Sequence, residues 1–72
     1  MFMKRYSLKG AEFIELIKLL KLLRIAESGG QAKMMVDEGE VKLNGQQENR
    51  KRAKLRVGDV VEIFGEKIVI EL

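Results

Sequence analysis

Two stretches of the chain carry residues whose types and spacing could hold an anion. The first is Ser28-Gly29-Gly30-Gln31-Ala32-Lys33, where two adjacent glycines fall at the predicted start of a helix. A helix start leaves about four amide N–H groups without internal partners and carries roughly half a positive charge from the aligned peptide dipoles. Glycine there removes the Cβ atoms that would keep a phosphate at a distance, at a cost in helix stability of about 1 kcal/mol each relative to alanine. Two readings stand side by side. One is a phosphate seat with Lys33 less than a turn away; the other is a plain capped helix start whose glycines ease the path of the chain. The GxxxxGK[ST] order of a nucleotide-binding loop is absent. The second stretch is Asn49 to Arg56, which holds Arg50, Lys51, Arg52, Lys54 and Arg56 with no acid among them, while Glu48, Asp59, Glu62, Glu66 and Glu71 stand on either side. Repulsion among these cations is modest at physiological salt, where screening acts within about 8 Å, and a polyanion would turn it into attraction. The alternative is a basic loop kept for solubility.

Other chemistry lacks its parts. The chain has no cysteine and no histidine, which excludes disulfides, thiolate zinc sites and imidazole ligands. Ser7 and Ser28 are the only serines, so no nucleophile–base pair of the usual kind can be assembled, and a non-enzyme without cofactor is expected. Asp37, Glu38 and Glu40 do not follow calcium-loop spacing and read as a solvated turn around a helix stop at Gly39. The net charge of +3 leans towards an anionic partner without proving one. No apolar run approaches the roughly 20 residues that span a bilayer, and the opening MFMKRYS does not resemble a signal peptide. A cytoplasmic location is the expectation. One domain over residues 1–72 is expected, near the lower limit at which a single hydrophobic core suffices.

The elements that must position these residues follow from periodicity. Residues Glu12 to Arg24 predict an amphipathic helix with Phe13, Leu16, Ile17, Leu20 and Leu23 on one face. Ile14, Leu19 and Leu22 are left among Glu15, Lys18 and Lys21 on the water side. Either the chain's own strands cover them or a partner does. A second helix is predicted from Gly29 to Glu38: Ser28 caps it, Gln31 completes a capping box, Gly39 ends it, and Ala32, Met35 and Val36 share its inner face. After Gly39 the period becomes two. Val41 and Leu43 alternate with Lys42 and lead to Asn44-Gly45, a strong hairpin signal. A turn at Gly58-Asp59, a strand from Val60 to Phe64, a reversal at Gly65-Glu66 and a last strand from Lys67 to Leu72 complete the pattern. The segment MKRYSL adds an edge strand. Phe13 and Phe64 are expected in the core, which leaves no aromatic platform for gripping single strands.

The run Ala26 to Gly45 resembles the α-L RNA-binding motif, the domain named after the fourth protein of the small ribosomal subunit. In that family a helix-turn-helix precedes a Val-x-Val-Asn-Gly hairpin, matched here by Val41-Lys42-Leu43-Asn44-Gly45. Gly58-Asp59-Val60-Val61 fits its Gly-Asp before an apolar strand. The likeness extends to the small stand-alone bacterial branch of the YbcJ type. That branch joins a Ser-Gly-x-Gln-Ala-Lys start, here Ser28 to Lys33, with Glu-x-Arg-Lys-Arg-x-Lys, here Glu48 to Lys54. Each piece alone is weak, but the ordered set, covering about Leu8 to Leu72, is specific.

The resemblance implies an α+β fold in which two packed helices lie against a small, curved antiparallel sheet. It also implies structured RNA, ribosomal or transfer, as the partner; no membrane, no small-molecule substrate and a monomer are the accompanying expectations. In such a module Lys33, Arg50, Lys51, Arg52 and Lys54 would meet phosphates. Gln31 and Asn44 would reach sugar or base edges, and Ser28, Gly29 and Gly30 would admit the RNA backbone closely. Lys42 and Arg56 are candidate outer contacts. One departure stands out: most family members carry arginine directly after the capping serine, and this chain has Gly29. Backbone amides would have to compensate. The competing expectation is a protein–protein adaptor using Ile14, Leu19 and Leu22.

Overall fold

Apolar residues crowd positions 13–23 too densely for one helical face, and the fold divides them between a strand and a helix. The structure, a computed structural model, describes residues 2–72. Strand β1 spans Phe2–Ser7 and β2 spans Ile14–Glu15; helix α1 spans Leu16–Leu22 and α2 spans Gly29–Asp37. Strands β3 (Lys42–Leu43), β4 (Gln46–Gln47), β5 (Lys54–Leu55), β6 (Val60–Ile63) and β7 (Glu66–Glu71) follow.

Helix α1 starts later than its periodicity predicts because β2 pairs antiparallel with β5, Ile14 opposite Leu55 and Glu15 opposite Lys54. This removes Ile14 from the helix and buries it to 6% exposure, while Leu19 is fully buried. Of the three apolar residues left over by the helical reading, only Leu22 stays exposed, at 54%. The adaptor surface expected from Ile14, Leu19 and Leu22 therefore does not exist: the chain covers two of the three itself. Phe13, just before β2, is half-buried and outside the core, contrary to expectation.

Helix α2 forms as its sequence predicts. Ser28 is extended (φ −148°, ψ 166°), and its Oγ accepts the Gln31 N–H at 3.1 Å. The Gln31 Oε1 reaches back as in a capping box, but it accepts from the Glu27 amide, one residue before the cap. Ala32, Met35 and Val36 face the core. Both helices end in a Schellman motif. After α2 the Glu40 N–H donates to Met35 O and the Gly39 N–H to Val36 O, with Gly39 at φ +76°. After α1 the Ile25 N–H donates to Leu20 O and the Arg24 N–H to Lys21 O, with Arg24 taking the left-handed position at φ +58°.

The main sheet has the order β1-β7-β6-β3-β4, and β2 pairs with β5 in a separate two-stranded sheet. From β7 to β4 every pairing is antiparallel, as expected, but β1 runs parallel to β7, so the sheet is mixed. These strands stand at opposite ends of the chain. No tight turn joins them, so nothing local sets their relative direction. Strand alternation sends Val61, Ile63, Ile68 and Ile70 into the single apolar core with α1 and α2. No polar or charged side chain is buried among the described residues. None of their helices is long and apolar enough to cross a membrane.

The Asn44-Gly45 hairpin forms with φ +53° and +85°, the pair of positive values a type I′ turn requires. The second reversal falls one residue earlier than predicted, at Phe64-Gly65 (φ +49° and +79°), because Ile63 pairs with Glu66 across a two-residue loop. Phe64 therefore sits at the turn, 60% exposed, rather than in the core. A bulky residue in the left-handed region is strained. Phe64→Asn, which installs the favoured Asn-Gly pair, is expected to stabilise the fold by about 0.5–1 kcal/mol, read as a higher urea midpoint at unchanged slope; a lower midpoint contradicts the assignment.

Candidate nucleic-acid interface

Helix α1 has no side-chain cap at its start. Its first amides donate instead to the basic segment 50–56: Leu16 N–H to Ala53 O at 2.9 Å and Ile17 N–H to Lys51 O at 3.2 Å. The same segment is pinned by burial of Ala53 (3% exposed) and Leu55 (fully buried). Burial then alternates from Arg52 to Arg56, so Arg52, Lys54 and Arg56 are exposed while Ala53 and Leu55 point inward. Lys51 reaches the other helix, its Nζ 3.2 Å from Asp37 Oδ1 near the end of α2. The basic segment thus lies against both helices.

A groove of about 340 Å³ results, lined by Glu15, Ile17, Lys18, Lys21, Gly29, Lys33 and Arg52. The α2 start and the basic segment, separate in sequence, meet here. The groove holds four cations and one carboxylate. The Gly29 and Gly30 amides donate to no group among the described residues. Neither glycine is demanded by the backbone, since neither has positive φ. A Cβ built on Gly29 would meet Lys21 Cδ at 3.9 Å and one on Gly30 would meet Ser28 Oγ at 3.9 Å, both ordinary contacts. The fold would accept alanine at either position, so entropy is lost there without a steric need. Cations and amide N–H groups suit an oxyanion. A metal does not fit, and among the described residues no cluster of three or more potential metal ligands occurs.

The other expected site residues divide. Arg50 is held by Glu48: its backbone N–H donates to Oε2 at 2.9 Å, its Nε to Oε2 at 3.1 Å and its Nη2 to Oε1 at 3.1 Å. The Arg50 guanidinium, followed by its backbone N–H, holds the Glu48 carboxyl below the usual glutamate range, and the same contact raises Arg50. Arg50 and Lys51 are therefore partly neutralised within the chain, while the exposed Arg52 forms no ion pair among the described residues. Lys54 lies on β5, with its Nζ 4.9 Å from the Phe13 ring centroid. Asn44 is occupied: its Nδ2 donates to Asp59 Oδ1 at 3.0 Å and its Oδ1 accepts the Val60 N–H at 2.9 Å. Its geometry is that of a brace between hairpin and β6, not of a free hand for sugar or base edges. Gln31 is exposed, and its side-chain oxygen is used at the helix start. Lys42 lies on β3 beside a shallow dent lined by Glu40, Glu62 and Phe64, not in the groove. Sequence reasoning missed Lys18 and Lys21. Their signal was present, three residues apart on the outward face of the first helix, but it read as a solvated face.

An α+β fold of two packed helices against a small mixed sheet, with a hairpin that turns at Asn44-Gly45, is the α-L architecture. The chain belongs to the S4 domain family, which it matches over residues 6–71. Among its relatives is YbcJ of Escherichia coli (strain K12), named as a candidate RNA-binding protein. The two are 41% identical over 68 residues, covering 94% of this chain and 97% of that one. RlbA of Bacillus subtilis (strain 168), named for a candidate role in ribosome maturation, is 50% identical over 54 residues, covering 75% of this chain and 76% of that one. The solution structure of E. coli YbcJ, described as revealing an α-L motif involved in RNA binding, aligns with a TM-score of 0.74. Identity there is 39%, covering 100% of this chain and 91% of that one.

The Glu48 contact has a pH signature. A carboxyl depressed in the folded state contributes stability above its unfolded pKa and loses it as pH falls through the folded value. Wild type should therefore exceed Glu48→Gln in stability at neutral pH, and the gap should close below the ordinary glutamate range. Chemical denaturation at a series of pH values would detect it, and a pH-independent gap would contradict the assignment.

Proposed function

We propose that this chain is a binding module for structured RNA, taken by its phosphates in the groove between the two helices and the basic segment. The carrying observation is that Gly29, Lys33 and Arg52 line one groove with Lys18 and Lys21. A polyanion there relieves repulsion among like charges, releases counterions and accepts the free amides at the α2 start. Gly29 takes the position where most family members present arginine, and the close approach it permits, with Lys21 beside it, replaces that contact. Ser28 holds the turn, with its hydroxyl hydrogen left to donate. Readout is by shape and phosphate, as suits an A-form helix whose deep major groove side chains cannot read. The name of one relative, RlbA, favours ribosomal RNA over transfer RNA, bound during maturation of the ribosome, and the module acts by binding rather than catalysis.

The test is the salt dependence of affinity for a synthetic RNA hairpin. Each phosphate contact adds about 0.7 to 0.9 to the log–log slope, so Lys18, Lys33 and Arg52 changed together to Gln should flatten it by roughly two to three. Arg50→Gln and Lys51→Gln should each matter less, because Glu48 and Asp37 already share their charge. An unchanged slope in the triple variant would remove the groove from the reading. Crosslinking in cells with sequencing of the bound RNA should return ribosomal RNA; enrichment of another class would redirect the assignment.

Substitutions at the glycines and at Asn44 separate seat from scaffold. Gly29→Ala with Gly30→Ala should raise the melting temperature, since alanine favours a helix by up to about 1 kcal/mol per site, and should weaken RNA binding. Asn44→Ala should do the reverse: about 1–3 kcal/mol of stability lost with two hydrogen bonds, and an unchanged salt slope. If the alanine pair binds RNA as tightly as wild type, the glycines are only a helix start.

A further inference from the structure

We propose that Phe13, Lys54 and Arg56 form a second anchoring point for the RNA backbone, outside the groove and continuous with it, in which the ring positions two cations for phosphate. The inference rests on the RNA-binding reading above. Lys54 Nζ lies 4.9 Å and Arg56 Cζ 5.7 Å from the centroid of the Phe13 ring. Both distances fall within the roughly 6 Å over which the face of an aromatic ring attracts a cation. Both side chains are exposed, and neither forms an ion pair among the described residues. Asp59, the acid nearest to Arg56 in sequence, is held by neutral amide donors and not by the Arg56 guanidinium. Its Oδ2 accepts the Arg56 backbone N–H at 2.8 Å, and its Oδ1 accepts from Asn44 at 3.0 Å.

The patch adjoins the groove through two independent features. Arg52, Lys54 and Arg56 alternate with the buried Ala53 and Leu55, so the three cations follow one side of the segment, and the first of them lines the groove. Glu15, which also lines the groove, is the register partner of Lys54 across β2 and β5. Two unpaired cations held over one ring repel each other. A phosphate between them removes that repulsion, and the ring limits the rotamers each long side chain would otherwise surrender on binding. Phe13 is a positioning residue here: half-buried, outside the apolar core, and touching the ligand only through the cations it holds.

The experiment measures affinity for the synthetic RNA hairpin against salt, with thermal unfolding of each variant alongside. Lys54→Gln with Arg56→Gln should lower the log–log slope by about 1.4 to 1.8, in addition to the loss caused by the groove variant. Phe13→Leu should weaken binding about threefold to tenfold with little change in slope, because the cations remain but must be ordered on binding. Phe13→Tyr, which keeps the ring, should restore affinity. The inference is overturned alone if the Lys54/Arg56 variant keeps the wild-type slope while the groove variant flattens it. It is also overturned if Phe13→Leu binds as wild type does, or if Phe13→Tyr binds no better than a destabilised Phe13→Leu. A wild-type chain that does not retain the hairpin overturns this inference and the functional reading together.

Discussion

Two hydrogen bonds, from Leu16 N–H to Ala53 O and from Ile17 N–H to Lys51 O, hold the architecture of the site. A short helix without a side-chain cap must find acceptors for its first amides, and α1 finds them on a segment more than 30 residues away in sequence. The segment that satisfies the helix is the one that carries the cations. Its carbonyls face α1, Ala53 and Leu55 enter the core, and its charged side chains are left on the outside beside α2. A structural requirement of one helix therefore sets the position of a binding surface.

The electrostatics of that surface are graded rather than uniform. Arg50 is closed onto the half-buried Glu48 and Lys51 onto the exposed Asp37, and the second, exposed pair contributes little to stability. Both pairs trim the positive field along the segment while it stays attached. Lys18, Lys21, Lys33 and Arg52 form no ion pair among the described residues, and Glu15 stands at the groove wall beside them. The domain itself, with principal extents of 29 × 23 × 19 Å, is only a few screening lengths across, whereas these charges gather around one groove. A net charge of +3 thus understates the local field, because Glu15 is the one carboxylate among the residues that line the groove with four cations.

The two glycines gain their meaning from the same geometry. Helix entry does not require them, and the space a Cβ would occupy is free. What separates them from an ordinary helix start is the neighbourhood: Lys21 from α1 beside Gly29, Lys33 a turn along, and Arg52 across the groove. Asn44 shows the converse. It looks like a polar residue free to recognise something, yet both ends of its amide brace the chain.

Local chemistry was enough for α2 with its cap and stop, the Asn44-Gly45 hairpin, the inward and outward alternation of β6 and β7, and the cationic character of residues 50–56. Each rests on neighbours within a few positions, which periodicity and turn preference read directly. Other features escaped it: the late start of α1, the parallel placement of β1, the outward turn at Phe64, and the recruitment of Lys18 and Lys21 into the groove. Those depend on which amide meets which carbonyl, and which cation meets which carboxylate, across stretches remote in sequence. Only the folded chain brings such partners within hydrogen-bonding reach, and their pairing decides which charges remain free to bind.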